Sequence, residues 1–274
     1  MNLKETLGSL FSQDELQLLV RGYDVVGDIA IIIIPQELES KEQVIAEVIL
    51  ANNPNIKVVA KRAAQYGGEF RTLPVTIIGG KDRRETEVRE FGIRLRLNVE
   101  KVYFSIRSGN ERRRIASLVQ PGENVLVLFS GIAPYPLMIS RYSLARRIVG
   151  IEKNPVAHDY ALLNLKLNKK LNNIELLQGD VRALLPLFST EFDRVVMVLP
   201  KSGEDFLEAA LPLLRPGGYL HFYDMQKSDS FAESITKVRS VCEAAKRSLP
   251  AADVAVCGHC APRTCRICVD CLVG

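Results

Sequence analysis

The sequence predicts an α/β protein, a doubly wound Rossmann-like sheet preceded by a small N-terminal α+β domain. Apolar runs of strand length recur at 124–129, 147–151, 174–178, 193–199, 218–223 and 265–273, with helical stretches between most of them and the last run expected to pair antiparallel. The first run ends in the turn Phe129-Ser130-Gly131, and the second ends in the acidic residue Glu152. That order suits a nucleoside-binding half, in which a tight turn admits the ligand and a carboxylate accepts hydrogen bonds from ribose hydroxyls.

Residues 1–100 read differently, as a small α+β domain ahead of a larger one at 101–274. Up to about residue 20, Leu7, Leu10, Phe11, Leu16, Leu18 and Leu19 form a candidate apolar face on one or two short helices. A strand pair follows over 23–32, folded around Gly27-Asp28. Ser40 is a candidate N-cap for a helix with Val44, Ile45, Val48 and Ile49 inward, ending near Asn52-Asn53-Pro54. Further β-rich segments are expected at 56–59, 76–78, 92–97 and 102–104, and helix resumes from Glu111.

At 274 residues and 47% hydrophobic, the chain is long and apolar enough to bury a full core. A net charge of +4 is too slight to indicate nucleic-acid binding by itself. The first five residues include Lys4 and Glu5 and open no apolar stretch of signal-peptide length, and the run from Ile29 to Pro35 is too short to cross a bilayer. A cytoplasmic protein without membrane attachment is expected. No obligate protein partner is evident.

Several short motifs occur in a fixed order. They are Glu69-Phe70-Arg71, the run from Tyr103 through Arg107 to Glu111-Arg112, the turn from Phe129 to Tyr135, Glu152-Lys153-Asn154-Pro155, Gly179-Asp180-Val181-Arg182, Leu199-Pro200-Lys201 and Ala261-Pro262-Arg263. Together they resemble the archaeal and eukaryotic tRNA guanine-N1 methyltransferases, which modify the purine just 3′ of the anticodon. A sister branch of similar fold transfers the aminocarboxypropyl group of the same cofactor in wybutosine synthesis. The resemblance covers residues 20–274 and implies a class I methyltransferase fold, S-adenosylmethionine as cofactor and tRNA as partner. Family methyltransferases often carry an extra N-terminal domain, and the shorter layout here is closer to the wybutosine branch.

The resemblance implies that Arg71 holds the guanine and its O6, that Glu111 takes the ring-nitrogen proton, and that Arg107 fixes Glu111 or a phosphate. The chemistry is coherent, because guanine must lose its N1 proton to become a good nucleophile and an arginine stabilises charge growing at O6. If helical, Arg107 and Glu111 share a face at i,i+4; an ordinary surface ion pair in a charge-rich stretch is the other reading. For the cofactor, the resemblance implies Phe129, Ser130, Gly131, Glu152, Lys153, Asn154, Asp180, Val181, Leu199 and Pro200. Glu152 would meet the ribose and Asp180 the adenine amino group. Read from spacing alone, Asp180 is equally a helix N-cap.

Three positions depart from the family pattern. Val127 replaces an acid that organises the methionine end, Ala133 replaces a glycine, and Val198 replaces an asparagine that would touch the guanine edge. The Ala133 Cβ crowds the turn if its φ is positive. An aminocarboxypropyl transferase and a catalytically silent RNA-binding relative therefore stand as alternatives to the methyltransferase.

Six cysteines include Cys257, Cys260, Cys265, Cys268 and Cys271 near the C-terminus, with His259 among them. The spacing could bind zinc, but a strand over 265–272 puts Cys265 and Cys268 on opposite faces, so no metal site is expected. Cys242 reads as a buried helix residue. Basic residues at Lys61-Arg62, Lys81, Arg83-Arg84, Arg94, Arg96, Arg107 and Arg112-Arg113-Arg114 form a candidate tRNA-docking face, with a solvated face as the alternative.

Overall fold

A computed structural model describes residues 3–20, 22–261 and 263–274. Contacts divide the chain into two compact units, Met1–Ile106 and Arg107–Gly274.

The first unit begins with two short helices, α1 (Leu3–Leu7) and α2 (Gln13–Leu18). Ser12 caps α2, accepting from the Glu15 amide while the Glu15 carboxylate accepts from the Ser12 amide, so two otherwise orphaned donors are satisfied. Leu7, Phe11 and Leu19 are buried as expected, but Leu10 and Leu18 are exposed. The hairpin β1 (Asp24–Val26) and β2 (Ile29–Ile32) turns at Gly27, whose φ is +61°. A Cβ there would lie 2.1 Å from Thr86 Oγ1, so only glycine fits.

Helix α3 (Glu42–Asn52) connects β2 to the parallel strand β3 (Val58–Arg62), and β4 (Val75–Gly80) adds antiparallel to give the order β1-β2-β3-β4. Ser40 does not cap α3: it lies in a 3-10 turn over Gln36–Lys41, and Lys41 occupies the cap without a side-chain bond. The buried face of α3 is Ile45, Ala46 and Ile49, whereas Val44 is exposed. Hairpin β5 (Glu85–Glu90) and β6 (Ile93–Asn98) forms a separate two-stranded sheet. Residues 102–104 are irregular, contrary to the β expectation: Val102 and Phe104 are buried, but neither joins a ladder.

In the second unit, α4 (Gly109–Leu118) is followed by β7 (Asn124–Leu128), α5 (Pro134–Tyr142), β8 (Arg147–Glu152), α6 (Pro155–Leu167) and β9 (Ile174–Gln178). Then come α7 (Val181–Leu184), β10 (Phe192–Met197), α8 (Leu207–Ala210), β11 (Leu214–Lys227), α9 (Phe231–Ala244), β12 (Ala251–Ala261) and β13 (Thr264–Val273). Their sheet has the order β12-β13-β11-β10-β7-β8-β9. Strands β11, β10, β7, β8 and β9 are parallel, and β13 pairs antiparallel with β11 as expected. The edge strand β12, antiparallel to β13, is an addition to the six strands expected. None of its residues is buried, and its apolar run is only the four residues 254–257, bounded by Asp253 and Gly258.

Strand order reverses beside β7, and the carboxyl ends of the strands on either side of such a switch point define the crevice where ligands bind in doubly wound sheets. The two faces of the sheet differ. Along β13, Cys265, Ile267, Val269, Cys271 and Val273 pack into one apolar core with Leu220 and Phe222 of β11, Val195 and Met197 of β10, and Val238 and Cys242 of α9. The intervening residues of β10, β11 and β13 present a polar seam to the opposite face.

Candidate active site

The turn after β7 holds three residues in the left-handed region within five positions: Phe129 (φ +60°), Gly131 (φ +56°) and Ala133 (φ +65°). Gly131 takes that conformation freely, but Phe129 and Ala133 have a Cβ that opposes it. The crowding anticipated at Ala133 is therefore present. What holds the turn is Glu152 at the end of β8: its Oε2 accepts the Gly131 amide at 2.7 Å and its Oε1 accepts the Asn154 amide at 2.7 Å. Burial pushes the Glu152 carboxyl up, against the pull of amides from Asn154, Gly131 and Lys153. Asn154 caps α6 by accepting from the amides of Val156 and Ala157.

Ser130 is 3% exposed, and its Oγ has no hydrogen-bond partner among the described residues. A buried hydroxyl left unpaired costs about 1–3 kcal/mol, a cost that a polar ligand in the turn would remove. At the end of β9, Asp180 caps α7 through the Arg182 amide at 2.8 Å and pairs with Lys153 Nζ at 2.7 Å. The Lys153 ammonium, then that amide, hold its carboxyl below the usual range. The capping role and the placement beside Glu152-Lys153 are thus both present. Val181 is buried at the start of α7, and Leu199 and Pro200 are half-buried just after β10. The turn, Glu152 and Asp180 converge at the carboxyl ends of β7, β8 and β9, with adjacent groups suited to ribose, adenine and a buried polar atom. Val127 itself is fully buried in β7, so no acid faces the turn from that position.

Glu111 is buried at 7% exposure in the first turn of α4. Its partner on the helix is Arg114, three residues on, whose Nε and Nη2 donate to Oε2 and Oε1 at 2.7 and 2.8 Å. Tyr223 Oη donates to the same Oε1 at 2.5 Å, and Tyr135 Oη donates to Tyr223 Oη at 2.9 Å. Arg107 lies in a 3-10 turn, Ile106–Ser108, ahead of α4, so the proposed i,i+4 helical relationship does not exist. Arg107 is exposed.

A chain of buried polar groups continues across the sheet. Arg114 Nη1 also donates to Asp270 Oδ2 at 2.5 Å; Asp270 Oδ1 is 2.5 Å from His221 Nδ1; and His221 Nε2 is 2.6 Å from Arg194 Nη1. Guanidinium nitrogens only donate, so His221 Nε2 accepts and Nδ1 carries the proton toward Asp270. Arg194 closes the chain on Glu123 at 2.7 and 2.9 Å and on the Leu118 carbonyl at 2.8 Å. Burial pushes the Asp270 carboxyl up, but hydrogen bonds from His221 and Arg114 outweigh it and hold the group well below the usual range. Burial, reinforced by the Arg194 charge, holds His221 down and neutral. Burial disfavours the Arg114 cation, and its bonds to Glu111 and Asp270 overcome that.

His221, Cys268 and Asp270 offer ligand atoms within 4.8 Å of one another. Two guanidinia already occupy the faces a cation would need, and burial raises the Cys268 thiol well above its ordinary value, so the cluster is an ion-pair site. Cys265 and Cys268 do lie on opposite faces of β13, the former in the apolar core and the latter donating to Asp270. Cys242 is buried in α9. Of the motif Ala261-Pro262-Arg263, Pro262 lies outside the described residues.

Arg71 lies in the first unit on a tight turn, with φ +50° and its amide bonded to the Gly68 carbonyl. Burial pulls its guanidinium down and Tyr103 opposes that. Tyr103 also meets Tyr66 edge-to-face at 5.6 Å. The candidate docking arginines are mostly committed within the fold. Lys61 pairs with Glu39 and Glu42, Arg62 with Asp24, Arg83 with Asp28, Arg84 with Asp82 and Glu100, Arg94 with Glu87, and Arg96 with Glu85. In α4, Arg112 is buried and Arg113 stacks on Tyr142. The clusters at 61–62, 83–84, 94–96 and 112–114 are therefore largely structural rather than a free basic face.

Residues 86–249 match the model of the TRM5/TYW2 methyltransferase domain, and residues 3–83 match that of the TYW2 N-terminal domain. The chain is 33% identical over 259 residues to the tRNA (guanine(37)-N(1))-methyltransferase Trm5b of Pyrococcus abyssi, covering 94% of this chain and 76% of that one. The crystal structure of Trm5b superposes with a TM-score of 0.87 over 96% of this chain and 78% of that chain. A structure of aTrm5 with tRNALeu is 29% identical with a TM-score of 0.85, covering 100% of this chain and 78% of that one. The tRNA(Phe) (4-demethylwyosine(37)-C(7)) aminocarboxypropyltransferase of Methanocaldococcus jannaschii is 32% identical over 202 residues, 74% of this chain and 77% of that one. The chain belongs to the TRM5/TYW2 family of S-adenosylmethionine-dependent transferases and is an enzyme. Among the described residues, no helix is long and apolar enough to cross a membrane.

Proposed function

We propose that the protein methylates N1 of the guanine just 3′ of the anticodon in tRNA, in the cytoplasm. The observation that carries this reading is the chain Tyr135–Tyr223–Glu111, which ties a buried carboxylate to the helix that begins where the nucleoside turn ends. When bound, S-adenosylmethionine supplies an electrophilic methyl carbon and keeps the electron pair of the broken carbon–sulfur bond. Glu152 would receive the ribose hydroxyls on lone pairs not used by Gly131 and Asn154; Asp180, fixed by Lys153, would accept from the adenine amino group; Phe129, Gly131, Val181, Leu199 and Pro200 would line the adenosine; and Ser130 Oγ would gain a partner. Glu111 accepts the N1 proton of guanine, leaving the N1 electron pair to form the new bond. Arg71 stabilises the charge that develops on O6, and Arg107 engages a phosphate of the tRNA.

A second reading has one specific support: residues 3–83 match the N-terminal domain of the aminocarboxypropyl branch. Val127 bears on the same choice, because the hold on the methionine tail decides which carbon faces the nucleophile. Incubation of the purified chain with S-adenosylmethionine and a tRNA transcript, followed by nucleoside mass analysis, separates the two. A product heavier by one methyl group, lost with Glu111→Gln, supports N1 methylation. An aminocarboxypropyl adduct sinks it, and a methyl product with undiminished turnover in Glu111→Gln removes Glu111 as the proton acceptor.

A further inference from the structure

We propose that Asp270, in the last strand, is a positioning residue for the transfer, acting on Glu111 through the Arg114 guanidinium that the two carboxylates share. The inference rests on the reading of Glu111 as proton acceptor.

The geometry is that of a divided cation. Nε and Nη2 of Arg114 face Glu111 at 2.7 and 2.8 Å, while Nη1 and Nη2 face Asp270 at 2.5 and 3.3 Å. A carboxylate held bidentately by an undivided guanidinium is fixed in place but is a poor proton acceptor, because protonation forfeits the whole ion pair. With Asp270 on its other edge, Arg114 still fixes the Glu111 rotamer and keeps a full counter-charge after Glu111 is protonated. Asp270 is itself anchored by His221 Nδ1 at 2.5 Å and by Cys268 Sγ at 3.2 Å, so it holds Arg114 from a rigid strand. The groups facing Glu111 are Arg114 from α4, Tyr135 from α5, Tyr223 from β11, and Cys257 and Cys268 from β12 and β13. The two tyrosine hydroxyls and the two thiols are pushed up by burial and stay neutral, so the charged groups around Glu111 are Arg114, Asp270 beyond it, and the buried Arg112 of the same helix, whose charge also reaches Tyr135.

The experiment measures kcat and KM for tRNA methylation against pH in the full chain, with Asp270→Asn, Arg114→Lys, Glu111→Gln and the double variant Glu111→Gln/Asp270→Asn. Asp270→Asn is expected to lower kcat about tenfold or more, with KM for tRNA and cofactor binding by calorimetry within about twofold, and to move the acidic limb of the kcat profile to lower pH. Arg114→Lys keeps the charge but cannot serve both carboxylates, so kcat falls while KM holds. In the Glu111→Gln background, Asp270→Asn adds nothing further. A kcat loss with the pH limb unmoved, or one that multiplies with Glu111→Gln, overturns the proposal and leaves Asp270 a structural group. Full turnover in Glu111→Gln overturns the reading of Glu111 and this inference together; if Glu111→Gln is inactive and Asp270→Asn behaves as the parent chain, only this inference falls.

Discussion

Glu152 accepts the backbone amide of Gly131 at 2.7 Å, which ties the turn after β7 to the end of the neighbouring strand β8. The same carboxylate accepts the Asn154 amide, so one side chain orders both loops that face the cofactor. Glu152→Ala leaves two amides without an acceptor and removes the group proposed for ribose. Charge-assisted hydrogen bonds contribute about 1.5–3 kcal/mol each. Titration calorimetry with S-adenosylmethionine is expected to show at least about a tenfold weaker affinity in Glu152→Ala. Equal affinity in the variant would remove Glu152 from the cofactor site.

Ala133 at φ +65° has a straightforward glycine test whose outcome depends on magnitudes. A left-handed alanine costs about 1–2 kcal/mol relative to glycine. Against this, glycine loses about 0.5–1 kcal/mol more backbone freedom on folding, and the Ala133 methyl is fully buried, worth about 0.8 kcal/mol. The terms nearly cancel, so Ala133→Gly is expected to change Tm by less than about 4 °C, the shift that roughly 1 kcal/mol gives in a domain of this size. A larger rise in a thermal melt would show that the turn stores more strain than its dihedrals indicate.

The strand runs and the turn after β7 were legible because they combine apolar runs with a glycine and an acid at strand ends. Glu152 and Asp180 stand where those signals put them. The polar seam was not legible in the same way. Arg194, His221, Tyr223 and Asp270 are each a polar residue inside an otherwise buried strand, and that is a signal of a hidden network. Which ones meet depends on the β10–β11 and β11–β13 registers, with His221 opposite Asp270 and Tyr223 opposite Cys268, and one sequence does not supply registers. Arg107 is implied by the family resemblance, and only its i,i+4 facing of Glu111 depends on a helix reaching back to residue 107, which the 3-10 turn does not provide. For the basic clusters the ion pairs favour the solvated-face alternative; some of the acidic partners, such as Asp82 for Arg84, lie close in sequence, whereas others, such as Glu39 for Lys61 and Asp28 for Arg83, are distant.

Arg194 and Glu123 form a buried ion pair at the far end of the seam, with side chains only 2% and 7% exposed. Arg194→Met leaves the Glu123 carboxylate buried without its partner and strips a donor from the Leu118 carbonyl. Breaking such a pair from one side costs about 3–5 kcal/mol, whereas removing both charges costs much less. Urea unfolding is expected to show that loss in Arg194→Met and a partial recovery in Arg194→Met/Glu123→Gln. No recovery in the double variant would mean that Arg194 acts by packing, for example through its stacking on Tyr219 at 4.6 Å.

Two groups of the seam give stability a pH dependence with separate windows. His221 is held neutral in the folded protein, mainly by burial, so its folded pKa lies below the unfolded value near about 6.5. Below that pH the unfolded chain binds a proton that the folded chain rejects, and stability falls as pH falls, by up to about 1.4 kcal/mol per unit. Asp270 has a depressed folded pKa because His221 and Arg114 hydrogen bonds outweigh its burial, so its contribution is complete above the unfolded value near about 3.9 and is lost as pH drops below it. His221→Gln keeps an acceptor for Arg194 and a donor for Asp270 but cannot titrate. Urea midpoints measured from pH 7 downward are therefore expected to fall in two stages in the parent chain, with His221→Gln lacking the upper stage and retaining the lower one. An unchanged slope in the upper window would place the titrating group elsewhere.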